Sequence, residues 1–510
     1  MRTIGDLFLR SVQRFPRRSA FWWRGVEVTY GDLWLGAGGF ARWLLEHGCR
    51  PGDRVALLLP NGPHYLIAYF GTLLARGIAV GLNPDTTAKD LAWVIGHCQP
   101  HTVLGEAASK RLIEEAVRNV RAVPRIVLTE RPTVNRPPFW PQIANDEPPT
   151  PARPSPEDPA QIIYTSGTSG HPKGVTLTHR NLVANTMSIV QYLRLGPEDA
   201  VFVILPFYYS YGNSLLLTHV AVGGRLIQTP DFVFLNRALD VMAEQGATGF
   251  AGVPSSYAML LHRSNFLDRQ FPRLRYMTCA GGPLAPSIVR QLRAAFPDVE
   301  LYLMYGQTEA SARLSTLLPE EVDRKLGSIG RGIPGVTLRV LDDAGRPVQP
   351  GEIGEIVAQG ENIMAGYWND PDATAKVLRP EGLRTGDLAT VDEEGYIYIV
   401  GRKSDLIKSG AYRIHPKEIE EVILELPGVA EVAVVGLPDE LLGEAPVAFV
   451  VRSEQAPGLE SDDIIRHCAQ RLPRYKQVHR VVFVDTLPKT SSGKIKRSLL
   501  RTSVAAHTAG

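Results

Sequence analysis

Charge of one sign is nearly absent in excess from this sequence. Fifty-five Lys and Arg stand against 53 Asp and Glu, for a net +2. That balance offers no electrostatic footprint for a nucleic acid. Cysteine is scarce. The four residues Cys49, Cys98, Cys279 and Cys468 are scattered and form no CxxC, which excludes a disulfide scaffold and reads as free thiols in a reducing compartment. Long hydrophobic runs are missing too. The most apolar stretch, Leu66 to Leu82, is interrupted by Arg76 and by glycines, so it is too short and too broken to cross a bilayer. Met1-Arg2-Thr3 leads straight into an amphipathic segment, without a signal-peptide pattern, and residues 505–510 carry no peroxisomal S-K-L. These absences predict a cytoplasmic, soluble protein, a monomer or homodimer without a membrane span. None of the 12 histidines sits in H-E-x-x-H spacing, so no resident structural metal is expected. No G-x-S-x-G elbow occurs, which removes support for a serine hydrolase.

What is present is a long chain of ordinary globular composition, 44% apolar and 21% charged. At 510 residues it exceeds what one core supports, so two or more domains are expected. Up to about residue 120, helical and strand patterns alternate, as in an α/β sheet with helical crossovers. Helical spacing runs from Ile4 to Arg14 and through 34–46 and 65–75; strand patterns lie at 26–30, 54–59 and 78–82. Residues 123–161 are Pro-rich and read as an exposed connector. The alternation resumes to residue 330, and strands dominate from Thr337 to Val400. A distinct α+β module follows, with Pro416 placed to open a helix. The predicted fold class is therefore α/β: a large N-terminal domain, 1–401, with a β-rich subdomain, and a small mobile α+β C-terminal domain, 402–510.

The most informative stretch is Tyr164 to Val175, YTSGTSGHPKGV. Its glycines let the backbone approach a ligand closely, and successive N–H groups in such a loop make an anion-binding concavity. Hydroxyls add donors and Lys173 adds a cation. The pattern is not G-x-x-x-x-G-K-[ST], because Lys173 stands between Pro and Gly. A second signal, Tyr305-Gly306-Gln307-Thr308-Glu309, follows a predicted strand at 301–304, and strand ends of α/β sheets are where ligands sit. A third is Thr385-Gly386-Asp387, a fourth is Gly401 to Gly410, and a fifth is Pro488-Lys489-Thr490-Ser491-Ser492-Gly493-Lys494-Ile495. Taken singly, the last three read as a turn and two solvated basic loops. Residues 330–335 match GxGxxG, but a strand pattern follows them, so the dinucleotide reading fails its context.

The five motifs, in this order, resemble the adenylate-forming superfamily of acyl- and aryl-CoA synthetases, adenylation domains and beetle luciferases. The resemblance covers essentially the whole chain. It implies that Thr165, Ser166, Gly167, Thr168, Ser169, Gly170 and Lys173 hold the β- and γ-phosphates of ATP. It implies that Gly281, Gly282 and Tyr305 bind adenine, that Thr308 contacts phosphate and that Glu309 holds Mg²⁺. Asp387 and Arg402 would bind ribose, and Lys494 would be the catalytic Lys of the first half-reaction, acting with Thr308 and Glu309. Ser409 and Gly410 would meet the pantetheine arm of CoA, and Ser404 falls at the hinge, where Asp or Lys is usual. The implied activity is an AMP-forming ligase that activates a carboxylic acid with ATP and passes the acyl group to CoA. The alternative acceptor is the phosphopantetheine of an acyl or peptidyl carrier protein.

The acid pocket would involve Tyr208, Tyr209, Gly212, Gly281 and Gly306, with 255–261 and 310–314 as further lining. Here the chain departs from the family pattern: Tyr209 stands where many CoA ligases carry His. No Asp lies between Leu205 and Leu217 to pair with an α-amino group. An unpaired buried ammonium is costly, so a non-amino acid, fatty or aryl, is expected.

Overall fold

Capping signals set the first helices. Thr3 caps Ile4–Arg14 and is answered by Asp6; Thr29 caps Tyr30–Glu46 and is answered by Asp32; Thr178 caps His179–Tyr192 and is answered by Asn181. Each is a reciprocal capping box that satisfies orphan backbone donors. Pro opens the helices Pro63–Leu74, Pro254–Arg263 and Pro286–Ala295, where its missing N–H is unneeded. The structure is a computed structural model. It describes every residue except 1, 119, 131–146, 149–153, 166–170, 230, 231, 233, 411, 440, 454–457, 490–494 and 506–510, and the side chains of 502–505.

The chain forms two compact units, residues 1–337 with 358–383, and residues 338–357 with 384–510. The first unit carries two large sheets. One is nine-stranded, in the order 331–332, 315–317, 300–305, 276–279, 249–252, 200–203, 225–228, 19–23, 26–29. It is parallel from 300–305 through 19–23 and antiparallel at both ends. The other is seven-stranded, in the order 366–367, 173–178, 159–165, 78–81, 54–58, 102–106, 125–129. Its inner strands are parallel and buried on both faces, as parallel sheets with helical crossovers require.

A further sheet runs in the order 336–341, 354–360, 382–391, 378–379, with 397–402 added to 382–391. The last module of the chain is built on 412–414, 407–409, 443–452 and 429–439, with 480–483 parallel to 443–452. Its core is Ile407, Ile414, Ile419, Ile423, Val434 and Ile464, all fully buried. Among the described residues no helix is long and apolar enough to cross a membrane.

Two local readings change. The Pro-rich connector is shorter than predicted, because Arg125–Thr129 is the edge strand of the seven-stranded sheet. Residues 206–212, read only as a pocket segment, run into the helix Ser210–Val222, which the sequence reading did not mark. Polar Asn213, Thr218 and His219 are buried beside Leu215, Leu216 and Val220. A helix buried all round shows no apolar stripe, so its periodicity is silent.

Candidate active site

The phosphate-loop motif is held at its stem. The strands Pro159–Thr165 and Lys173–Thr178 form a hairpin with Tyr164 opposite Gly174 and Thr165 opposite Lys173. Residues 166–170, and with them Ser166, Gly167, Thr168, Ser169 and Gly170, lie outside the described residues. The Tyr164 hydroxyl meets His97 Nδ1 at 2.8 Å, and His171 stacks on Trp93 at 5.3 Å between ring centroids. The helix Ala88–Cys98 therefore anchors both sides of the stem.

The second motif sits at the end of the strand Glu300–Tyr305. Gly306 is required there, because a Cβ would lie 1.9 Å from the Ala312 carbonyl oxygen. Thr308–Ala310 is a single 3₁₀ turn, and Thr308 Oγ1 lies 3.3 Å from Ser210 Oγ at the start of the helix Ser210–Val222. Gly281 and Gly282 follow the neighbouring strand Tyr276–Cys279 and are exposed, with Gly281 at φ +89.

A residue that the motifs did not flag ties these parts together. Tyr367 lies in the short strand Gly366–Tyr367, paired with the phosphate-loop hairpin at Val175. Its hydroxyl donates to Glu309 Oε1 at 2.9 Å, and Lys173 Nζ stands 4.9 Å over its ring. Burial and the adjacent Glu309 carboxylate push the Tyr367 hydroxyl well above the ordinary tyrosine range, so it stays protonated and donates. The backbone closes the same arrangement: Met364 N donates to Glu309 O at 2.9 Å, and Trp368 N donates to Gly174 O at 2.7 Å. Glu309 is thus an oriented single carboxylate. Mg²⁺ bound together with phosphates asks for that, since it takes one or two carboxylates and fills the rest of its shell with phosphate oxygens and water. Among the described residues no group of three or more His, Cys, Asp or Glu is placed to hold a metal by itself.

The predicted acid-binding segment is tightly built. Tyr208 is buried and its hydroxyl donates to Asn83 Oδ1 at 3.0 Å; Tyr209, its ring tilted against that of Tyr208 at 4.6 Å between centroids, is the N-cap of the helix that follows. A Cβ on Gly212 would lie 2.0 Å from the Pro206 carbonyl oxygen, so Gly212 lets this turn close.

In the second unit Asp387 and Arg402 are brought opposite each other on paired strands. Arg402 Nε donates to Asp387 Oδ1 at 3.0 Å, and Asp387 is buried. Gly386 adopts φ +75, and its N–H donates to Glu355 Oε1 at 3.2 Å. Ser404 lies in the 3₁₀ turn Lys403–Asp405 and hydrogen-bonds Asp405. Ser409 is buried at the end of its strand, and exposed Gly410 adopts φ +57 with its N–H on Leu442 O at 2.7 Å. Lys494 lies outside the described residues; Lys489 and Ile495, on either side of 490–494, form an antiparallel bridge.

Comparison with known proteins decides the family. The AMP-binding enzyme family matches residues 8–368, and the AMP-binding enzyme C-terminal domain matches residues 418–494. The chain belongs to the AMP-binding enzyme family. Among its relatives is a sulfoacetate–CoA ligase of Cupriavidus necator, 36% identical over 483 residues, covering 93% of this chain and 92% of the relative. A long-chain-fatty-acid–CoA ligase of Escherichia coli O157:H7 is 31% identical over 534 residues, covering 98% and 94%. The solved structure of O-succinylbenzoate coenzyme A synthetase from Bacillus subtilis, in complex with ATP and magnesium ion, matches with a TM-score of 0.85 at 28% identity, covering 97% of this chain and 99% of that one.

In this AMP-binding enzyme, the sequence motifs proposed Lys173, Thr308 and Glu309 as candidates and gave no role to Ser210 or Tyr367, which the fold sets beside them. Tyr367 is 58 residues from Glu309 in the chain, and only a strand pairing brings them together. Arg313 was given no role of its own. It follows the second motif by four positions, inside the 310–314 segment expected to line the pocket.

Proposed function

We propose that this AMP-binding enzyme is an acid–CoA ligase of the acyl-CoA synthetase type. It joins a carboxylic acid to AMP at the expense of ATP, releases pyrophosphate, and transfers the acyl group to the thiol of CoA. The observation that supports this most is the Lys173–Tyr367–Glu309 arrangement beside Thr308. It assembles a cation, a hydroxyl and an oriented carboxylate from chain segments far apart, where a polyphosphate and its counter-ion need them. The relatives' acids, sulfoacetate, long-chain fatty acids and O-succinylbenzoate, differ widely, so pocket residues and not the nucleotide machinery set the acid.

The chemistry follows from charge. A carboxylate attacking a phosphate meets repulsion between two anions. Thr165, Lys173, Thr308 and the loop 166–170 hold the β- and γ-phosphates, and Lys494 neutralises charge where the acid and α-phosphate join. Gly281, Gly282 and Tyr305 receive adenine, and Asp387 and Arg402 receive ribose. Glu309 would hold Mg²⁺, which would supply further charge stabilisation at the phosphates. In the second half-reaction the segment 402–510 turns at Ser404, Lys494 leaves, and Ser409 and Gly410 receive the pantetheine arm. A few hinge residues absorb such a change.

The test is Lys494→Ala. It is expected to lower acid-dependent ATP–pyrophosphate exchange by about 10²–10³-fold, as loss of one positioned stabilising group does. Thiolysis of a supplied acyl-adenylate by CoA should persist. Loss of both steps, or of neither, contradicts the role. A pyrophosphate-release screen across fatty, aryl and amino acids, with CoA and with a carrier protein, separates the two acceptors.

A further inference from the structure

Arg313 is an arginine buried to 2% exposure, and among the described residues no carboxylate pairs with it. Its polar contacts are all to uncharged groups: Nε lies 3.3 Å from Met304 Sδ, Nη1 lies 3.5 Å from the Ala312 carbonyl oxygen, and the Tyr192 hydroxyl, itself on Met304 Sδ, hydrogen-bonds the guanidinium. Its guanidinium carbon stands 3.9 Å from the ring centroid of Tyr211. A guanidinium offers five N–H donors in a fixed fork. A buried cation without an anion is strongly disfavoured unless something supplies one. The backbone at this position is nevertheless pinned: the Arg313 carbonyl accepts from Asn185 Nδ2 at 3.0 Å and from Asn362 Nδ2 at 2.9 Å. The chain holds in place a guanidinium that has no carboxylate partner among the described residues.

Its location ties it to the acid. Tyr211, which stacks on the guanidinium, follows Ser210, whose hydroxyl meets Thr308. The Tyr211 hydroxyl meets Thr278 Oγ1 at 2.8 Å on the strand that leads to Gly281. Gly306 packs against the backbone of Ala312 and Arg313. The guanidinium therefore lies under the helix start and strand ends to which the acid pocket is assigned. Long apolar chains have no use for a fixed cation there, and an ammonium is repelled by it.

We propose that Arg313 is the receptor for a second anionic group on the acid, so that the substrate is a short carboxylic acid bearing a carboxylate or sulfonate at its far end. This rests on the acid–CoA ligase reading. The charge-assisted, two-point contact that guanidinium makes with such a group completes the shell that the protein leaves unfilled.

The test is acid-dependent ATP–pyrophosphate exchange on the full-length enzyme with short α,ω-dicarboxylic and sulfonated carboxylic acids. Each is compared with the monocarboxylic acid of the same length, alongside long-chain fatty and aryl acids. Wild-type enzyme is expected to prefer the dianionic member of each pair by roughly 10²–10³-fold in kcat/KM. Arg313→Leu should abolish that preference and turn it toward the monocarboxylic member, while Arg313→Lys restores part of it. A structural role alone would lower activity on both members equally. Should Arg313→Leu fail to fold, the wild-type preference and the Arg313→Lys ratio still decide. Equal use of dianionic and monocarboxylic acids by wild type, or an unchanged preference in Arg313→Leu, overturns the assignment and leaves the ligase reading standing. Exchange with no acid at all overturns the ligase reading itself.

Discussion

At the scale of single residues, the site turns on one hydroxyl. Tyr367 donates to Glu309 and presents its ring to Lys173, so removing the hydroxyl separates two functions. Tyr367→Phe keeps the ring and loses the orienting bond. Partners that orient a metal-binding carboxylate typically account for about 10–100-fold in metal affinity. The magnesium concentration that half-supports pyrophosphate exchange is expected to rise by about that factor, with little change in thermal stability. An unchanged magnesium curve would show that Tyr367 does not orient Glu309. The motif residues were legible because Gly, Lys, Thr and Glu at fixed spacing carry chemistry by themselves. Tyr367 and Arg313 were not, because their meaning lies in what stands across from them.

At the scale of elements, close backbone approaches shape the pocket. Gly306 and Gly212 leave no room for a Cβ against backbone carbonyls, and a backbone oxygen cannot rotate away. Gly306→Ala is expected to cost about 1–3 kcal/mol, as overpacking does, read as a lower thermal midpoint together with loss of exchange activity. Gly96 is the contrast. It lies in the helix Ala88–Cys98 with nothing within 4 Å of an added Cβ. Gly96→Ala should stabilise by about 0.5–1 kcal/mol, the helical cost of Gly relative to Ala. Equal thermal midpoints for the two variants would refute this reading of the loop. Elements with an amphipathic stripe, such as Ile4–Arg14, were legible in the chain. The helix Ser210–Val222 was not, because complete burial erases the periodicity that would betray it.

At the scale of the whole molecule, the larger unit buries three histidines in their neutral form. Burial pulls His64, His179 and His219 down to about 4 each. His179 Nδ1 accepts from the Ile4 N–H at 3.4 Å, and His219 Nε2 lies 3.1 Å from the Tyr276 hydroxyl. An unfolded histidine titrates near 6.5. Between those values the unfolded chain binds more protons than the folded one, so stability rises with pH across the window. The contribution is complete above about pH 6.5 and is lost as pH falls toward 4, at up to about 1.4 kcal/mol per histidine per pH unit. Thermal midpoints measured down that range should fall steadily. A midpoint that stays level through the window would mean that these histidines are not buried neutral.

The amino-acid sequence by itself marked out a Gly-rich loop with anion-binding donors and a Lys, because those are local requirements met by local residue types, and the order of its five motifs carried the family resemblance that implies the reaction class. It also determined the α/β character, through strand–helix alternation. Only the tertiary structure decided which distant side chains meet. The Gly366–Tyr367 strand pairing carries Tyr367 to Glu309, the antiparallel pairing of 382–391 with 397–402 sets Asp387 against Arg402, and the strand-end packing leaves Arg313 buried without an anion. Those facts depend on register and burial over many residues. Register and burial are properties of the packed chain and of no single segment within it.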